Sequence, residues 1–226
     1  MNARGHQDGV ALYVHWPYCR AKCPYCDFNS HVAEAMPEAR WRAAIMREMD
    51  HYHLETKNLG HVRTIFFGGG TPSLMDPDSA GAIIAHAKKR WGLSNHVEVT
   101  LEANPTSVEA GRLKAFHAAG VNRVSLGVQA LDDDALRLLG RQHTAAEALA
   151  ALKIATKAVP RLSFDLIYAR PGQTLADWRS ELARALDLAH GHLSLYQLTI
   201  EPGTRFHREK VPAADEDTGG DMFEAT

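Results

Sequence analysis

The chain has 226 residues, 45% of them hydrophobic, which suits one domain with a sizeable core or two small ones. Its 25 lysines and arginines nearly balance 27 aspartates and glutamates, so the net charge of −2 gives no electrostatic case for nucleic acid or anionic lipid. No apolar run approaches the ~20 residues needed to cross a bilayer.

The N-terminal "MNARGHQDG" is polar where a secretory segment is apolar, and three cysteines cannot all close into internal disulfides. Both features point to a reduced, cytoplasmic setting with free thiols. "VALYVHW" is the first predicted strand, and the loop after it holds all three cysteines, Cys19, Cys23 and Cys26. Pro37 suits a first helical turn, and Trp41, Ile45 and Met49 form an apolar stripe at helical spacing. Next come the strands "VRTIFFG", ending in "GGGTPS", and "VEVTLEA", ending in "EANP". Gly120 stops a helix after "KAFHAA", and "NRVSLGV" leads to Gln129. "RLSFDLIYA" carries Asp165, a second stripe runs through Leu175, Trp178, Leu182 and Leu186, and "HLSLYQLTI" is the sixth strand. Short, largely apolar strands of this kind are buried on both faces in parallel sheets. The final "DTGGDMFEAT" reads as a helix opening with no cap or stop signal.

Strand and helix alternate throughout, which implies right-handed βαβ crossovers in either a barrel or an open sheet. Both forms put their chemistry in the loops after the strand ends. Here those loops collect the cysteines, the glycines and the carboxylates on one rim. Thiols two or three residues apart can wrap one metal centre. Zinc would take a fourth ligand such as His15 or His31, whereas a four-iron cluster held by three thiols leaves one iron open. "GGGTPS" lacks the Gly-Lys-Ser/Thr ending of a phosphate loop, but its glycines admit close approach of a ligand to the backbone. Glu102 and Asp165 need partners if buried, and Arg123 or Arg141 would be the ordinary ones. A satisfied histidine is the commoner case, so His143 in "GRQHT" is given no role.

The cysteine spacing C-x-x-x-C-x-x-C after a first strand, with Tyr25 before the last cysteine, resembles the radical S-adenosylmethionine superfamily. That resemblance implies an α/β fold, a partial (β/α)6 TIM-like barrel, and a 4Fe-4S cluster on Cys19, Cys23 and Cys26. It also implies S-adenosylmethionine binding by Tyr13, Tyr25, Gly69, Gly70, Thr71, Glu102, Gln129, Arg141 and Asp165. In such proteins an electron from the cluster breaks the sulfonium C–S bond and releases a 5'-deoxyadenosyl radical. "LYVHWPYC", "FFGGGTPS", "LEANP", "SLGVQ", "GRQHT" and "LYQLTIEPGT" resemble the branch that holds oxygen-independent coproporphyrinogen III dehydrogenases and a haem chaperone. Asp27 and Phe28 stand where the dehydrogenase loop continues with glycine and a further cysteine, and only eighteen residues precede Cys19. Both departures favour the chaperone, with haem as a third ligand and without porphyrinogen decarboxylation. The resemblance implies haem-accepting proteins and an electron donor as partners, with contact to membrane haemoproteins from the aqueous side. Residues 1–200 are expected to form the cofactor-binding core, and 201–226 the start of a truncated C-terminal region.

Overall fold

A computed structural model describes residues 9–226; the polar stretch of residues 1–8, with its bearing on targeting, lies outside the described residues. In chain order the elements are β1 (Val10–Trp16), β2 (Tyr18–Cys19), β3 (His31–Val32), α1 (Glu38–Thr56), β4 (Val62–Gly69), α2 (Pro77–Trp91), β5 (Leu93–Ala103) and α3 (Ala110–Ala118). They continue with β6 (Arg123–Gln129), α4 (Asp133–Leu138), α5 (Ala145–Ala158), β7 (Arg161–Tyr168), α6 (Leu175–Leu188), β8 (Leu193–Gln197), α7 (Arg205–Arg208) and α8 (Glu216–Glu224). All six expected strands form and pair in parallel, in the order β1-β4-β5-β6-β7-β8. The sheet curls into a partial barrel with helices outside. β2 and β3, two residues each, were not foreseen; they pair in parallel and frame the cysteine loop.

Alternation along each strand divides the side chains between two environments. On β6 and β7 the outward row, Val124, Leu126, Val128, Leu162, Phe164 and Leu166, packs against α5 and α6 around Trp178. On β1, β4 and β5 the outward row, Val14, Trp16, Ile65, Phe67 and Leu101, packs against α1 and α2. The inner row is polar, with Thr100, Ser125 and Ser163 buried inside the curl. The largely apolar strands were expected to be apolar on both faces; the inner face is polar because it lines the interior of the curl rather than a second layer of helices.

The two helical stripes form as expected except at one end. In α6, Trp178, Leu182 and Ala185 are buried while Leu186 is 60% exposed. At about 100° per residue, position 186 has turned past the buried row. α8 also begins with a cap that the sequence reading missed, since Asp215 accepts from Thr218 N at 2.9 Å. Its Met222 joins the Trp178 cluster, and Trp178 Nε1 donates to Thr226 Oγ1 at 3.0 Å. Among the described residues no helix is long and apolar enough to cross a membrane.

Candidate functional site

Glycines at the end of β4 let two loops lie against each other. Gly70 N donates to Trp16 O at 2.6 Å and Thr71 N to Tyr18 O at 2.9 Å, stitching the glycine loop to the cysteine loop. A Cβ at Gly70 would stand 2.5 Å from Tyr18 O and 3.0 Å from Cys19 Sγ. Gly70 is therefore small for the sake of the cysteine loop, a reason the sequence did not give. Gly69 differs: at φ 113° it occupies backbone space that favours glycine, and a Cβ would meet the His15 ring at 2.6 Å.

Across the rim lies a cavity of about 340 Å³. Cys19, Cys23 and Cys26 line it with Tyr25, Gly69, Gly70, Thr71, Glu102, Gln129, Arg141 and Asp165. Of the candidate binding residues only Tyr13 stands outside this lining: its ring is 61% exposed and stacks on Phe66 at 6.1 Å. His15 and His31, the zinc alternatives, do not line the cavity either; His15 Nε2 lies 2.9 Å from Asn29 O, a carbonyl to which it donates. Among the described residues no three His, Cys, Asp or Glu side chains converge on a single-ion site.

The thiols face matched donors. Arg141 Nη1 lies 3.2 Å from Cys23 Sγ, and Thr71 Oγ1 lies 3.6 Å from Cys19 Sγ. Arg141 Nη2 also donates to Gly127 O at 2.9 Å, leaving Nε buried and unpartnered. Gln129 Oε1 is likewise buried without a partner. A free acceptor and a free donor on one wall are what a polar ligand would satisfy. Three thiols on one short loop suit an iron–sulfur cluster, so the residues present fit both groups.

Neither carboxylate forms a direct ion pair with an arginine the sequence suggested, although the charges of Arg123 and Arg141 both reach Asp165. Glu102 Oε2 accepts from Gly69 N at 3.1 Å, and Asp165 Oδ1 accepts from Ser125 Oγ at 3.2 Å. Arg123 is drawn to the opposite end of the strands, to Glu98 at 3.4 Å and Ser163 at 2.9 Å. Burial pushes Glu102 up to about 7, opposed by the Gly69 N–H and helped by the charge of Asp165. Burial also raises Asp165, against hydrogen bonds from Ser125 and Ser194 and the charges of Arg123 and Arg141. Two acids thus share a cavity in which ionising one makes the other harder to ionise. Burial likewise lifts the Tyr25 phenol far above its ordinary range, and its ring packs on Phe206 of α7 at 6.3 Å.

Lys22, Asn104, Ser125, Tyr196 and Glu201 line the cavity and were missed. The signal for Ser125 and Tyr196 was strand phase: each lies on the inner row that Asp165 marks. Lys22 and Glu201 lie on irregular backbone, where no periodicity speaks for them.

The Radical SAM superfamily model matches residues 13–185. The chain is 42% identical over 220 residues to "Radical S-adenosyl methionine domain-containing protein 1, mitochondrial" of Bos taurus, covering 95% of this chain and 50% of that one. It is 40% identical over 220 residues to "Heme chaperone HemW" of Haemophilus influenzae, covering 95% and 57%. Among solved structures, coproporphyrinogen III oxidase (HemN) from Escherichia coli, described as a radical SAM enzyme, matches with a TM-score of 0.82 and 25% identity over 98% of this chain and 52% of that one. The chain spans about half the length of the curated relatives it matches. With a family model covering most of its length and its three thiols on the rim of a parallel half-barrel, the chain belongs to the radical SAM superfamily.

Proposed function

We propose that this chain is the cofactor-binding core of a haem chaperone that works in a reducing aqueous compartment, the cytoplasm. The observation that carries this reading is about 40% identity to proteins named haem chaperone over 95% of the chain, against 25% to the oxidase. Asp27 and Phe28 support it, since both line the cavity where the dehydrogenase-like loop would carry glycine and cysteine.

In this reading Cys19, Cys23 and Cys26 would hold a 4Fe-4S cluster, and residues at the ends of β5–β7 would hold S-adenosylmethionine. When bound, the cluster supplies one electron for reductive cleavage of a sulfonium C–S bond. The chain's own residues bind and orient. The free Gln129 Oε1 would accept from the ligand's polar hydrogens, and Arg141, whose Nη1 lies 3.2 Å from Cys23 Sγ, would steady that side chain. Glu102 and Asp165, both on the cavity lining, would hold the ligand's hydroxyl and ammonium groups. Thr71 and the Gly69–Gly70 backbone close the cavity against the cysteine loop, and Tyr25 offers a ring wall. Haem binding, and contact with haem-accepting proteins and an electron donor, complete the reading.

The likeness to the oxidase fold keeps one rival reading, oxidative decarboxylation of coproporphyrinogen III. One assay separates the two. Anaerobically reconstituted full-length protein receives coproporphyrinogen III, S-adenosylmethionine and reductant, and in parallel haem and an acceptor apoprotein. No porphyrinogen product by mass, with haem recovered on the acceptor, is the expected result; protoporphyrinogen overturns the chaperone reading.

A further inference from the structure

The end of β6 is irregular. Its register with β7 runs Leu126↔Phe164 and then Gln129↔Leu166, so three steps along β6 answer two along β7. β6 therefore carries one extra residue, a bulge, and bulges bend a strand and re-aim its side chains. Gly127 and Val128 have no register partner on β7, and both their carbonyls accept from the loop that follows α4. Arg141 Nη2 donates to Gly127 O at 2.9 Å, and His143 Nε2 donates to Val128 O at 3.0 Å. A carbonyl can only accept, so the contact sets the tautomer with hydrogen on Nε2.

The next residue, Gln129, sits at φ 73°, left-handed space that a residue with a Cβ rarely enters. Such a posture persists only when its surroundings enforce it. Its side chain folds over Gly127, where a Cβ would stand 2.9 Å from Gln129 Nε2 and 3.5 Å from Arg141 Nη2. The Gln129 amide is thus on the cavity wall with Oε1 unpartnered. His143 itself is 5% exposed and does not line the cavity. Thr144, immediately after it, caps α5 by accepting from Glu147 N, which fixes the far side of the loop.

We propose that His143 is a positioning residue: by holding the Val128 carbonyl it maintains the bulge and keeps Gln129 in the posture that offers its amide to the cavity ligand. The ligand part of this rests on the S-adenosylmethionine reading above. Arg141 and His143 act as a two-point clasp on consecutive carbonyls. One member reaches on to Cys23, and the other reaches no ligand. The role sequence reasoning denied to His143 comes from this contact with a strand end fifteen residues earlier.

His143→Leu keeps the apolar bulk and removes the donor, while His143→Gln returns an amide N–H near the position of Nε2. His143→Asn, whose amide is too short to reach Val128 O, is the second test should the leucine variant fail to fold. Two readouts apply to each folded variant: the backbone carbon shifts of Gln129, which distinguish left-handed from extended backbone without any cofactor, and calorimetric titration of anaerobically reconstituted protein with S-adenosylmethionine. Expected are loss of the left-handed shifts in the leucine and asparagine variants and an affinity about tenfold weaker, the size of one hydrogen bond's net contribution, with both restored by glutamine. Unchanged Gln129 shifts in a folded leucine or asparagine variant overturn the clasp. Shifts that move with affinity at the wild-type level overturn its service to the ligand. Wild-type protein that binds no S-adenosylmethionine, with shifts that still respond to His143, refutes the functional reading and supports the clasp alone.

Discussion

Gly70→Ala measures how tightly the glycine loop is set against the cysteine loop. The added Cβ would stand 2.5 Å from Tyr18 O, 2.9 Å from Tyr18 C and 3.0 Å from Cys19 Sγ. Carbon and oxygen settle at about 3.3–3.6 Å, so Tyr18 must retreat by roughly 1 Å. Two of the three obstacles are backbone atoms, and Tyr18 O is held by the Thr71 N–H at 2.9 Å, so no side-chain rotation relieves the clash. Overpacking of this kind costs about 1–3 kcal/mol. At about 2–4 °C per kcal/mol for a chain of this length, Tm should fall by roughly 2–12 °C. The displacement also reaches Cys19, so iron and sulfide content after anaerobic reconstitution should drop with it. Gly111→Ala in α3 is the control, because nothing lies within 4 Å of its Cβ position; there the melting point should hold or rise, by at most about 1 kcal/mol of stability. The measurement is scanning calorimetry of both variants beside wild type, with metal analysis. A Gly70→Ala protein with wild-type Tm and full iron content refutes the reasoning.

Cys23→Ala should lose the cluster, since two thiolates from one loop are a poor anchor; unchanged iron and sulfide would contradict the ligand set. Glu102 carries a pH signature. Its folded-state pKa of about 7 lies above the ordinary 4.5, so the protonated form is the one that folding favours. Its contribution is fully present below pH 4.5 and is lost as pH rises toward 7, by roughly 3 kcal/mol in total. Glu102→Gln, which keeps an acceptor for the Gly69 N–H, should gain on wild type over that window in urea melts; parallel pH profiles would refute the shift. Glu181→Ala strands the buried Arg170, whose Nη2 lies 2.5 Å from Glu181 Oε2, and also removes the acceptor of Leu131 N. The expected loss is about 3–5 kcal/mol by denaturant midpoint, and a loss under about 1 kcal/mol would count against a buried, uncompensated charge.

The sequence by itself determined what is written in consecutive residues. Each of the six strands is a short, largely apolar segment ended by glycine, proline or a polar turn, so the cysteine and "GGGTPS" loops that follow β1 and β4 were legible as one rim together with Glu102, Gln129 and Asp165, which lie in the C-terminal halves of β5, β6 and β7. The resemblance carried by those motifs supplied the partial barrel, which alternation alone left open against an open sheet. Tertiary structure decided everything that depends on distant parts of the chain meeting. It set Arg141 against Cys23, 118 residues earlier, and left Glu102 and Asp165 without the direct arginine ion pairs that local reading proposed. It turned Tyr13 out of the cavity lining and placed the Gly70 Cα against Tyr18 and Cys19. It also put an extra residue into β6 and gave His143 a carbonyl to hold. The physical reason is one of range: strand and helix periodicities report only which face of an element is apolar, whereas a bulge, a clasp or a close approach is fixed by atoms that the sequence separates and packing brings within 3 Å.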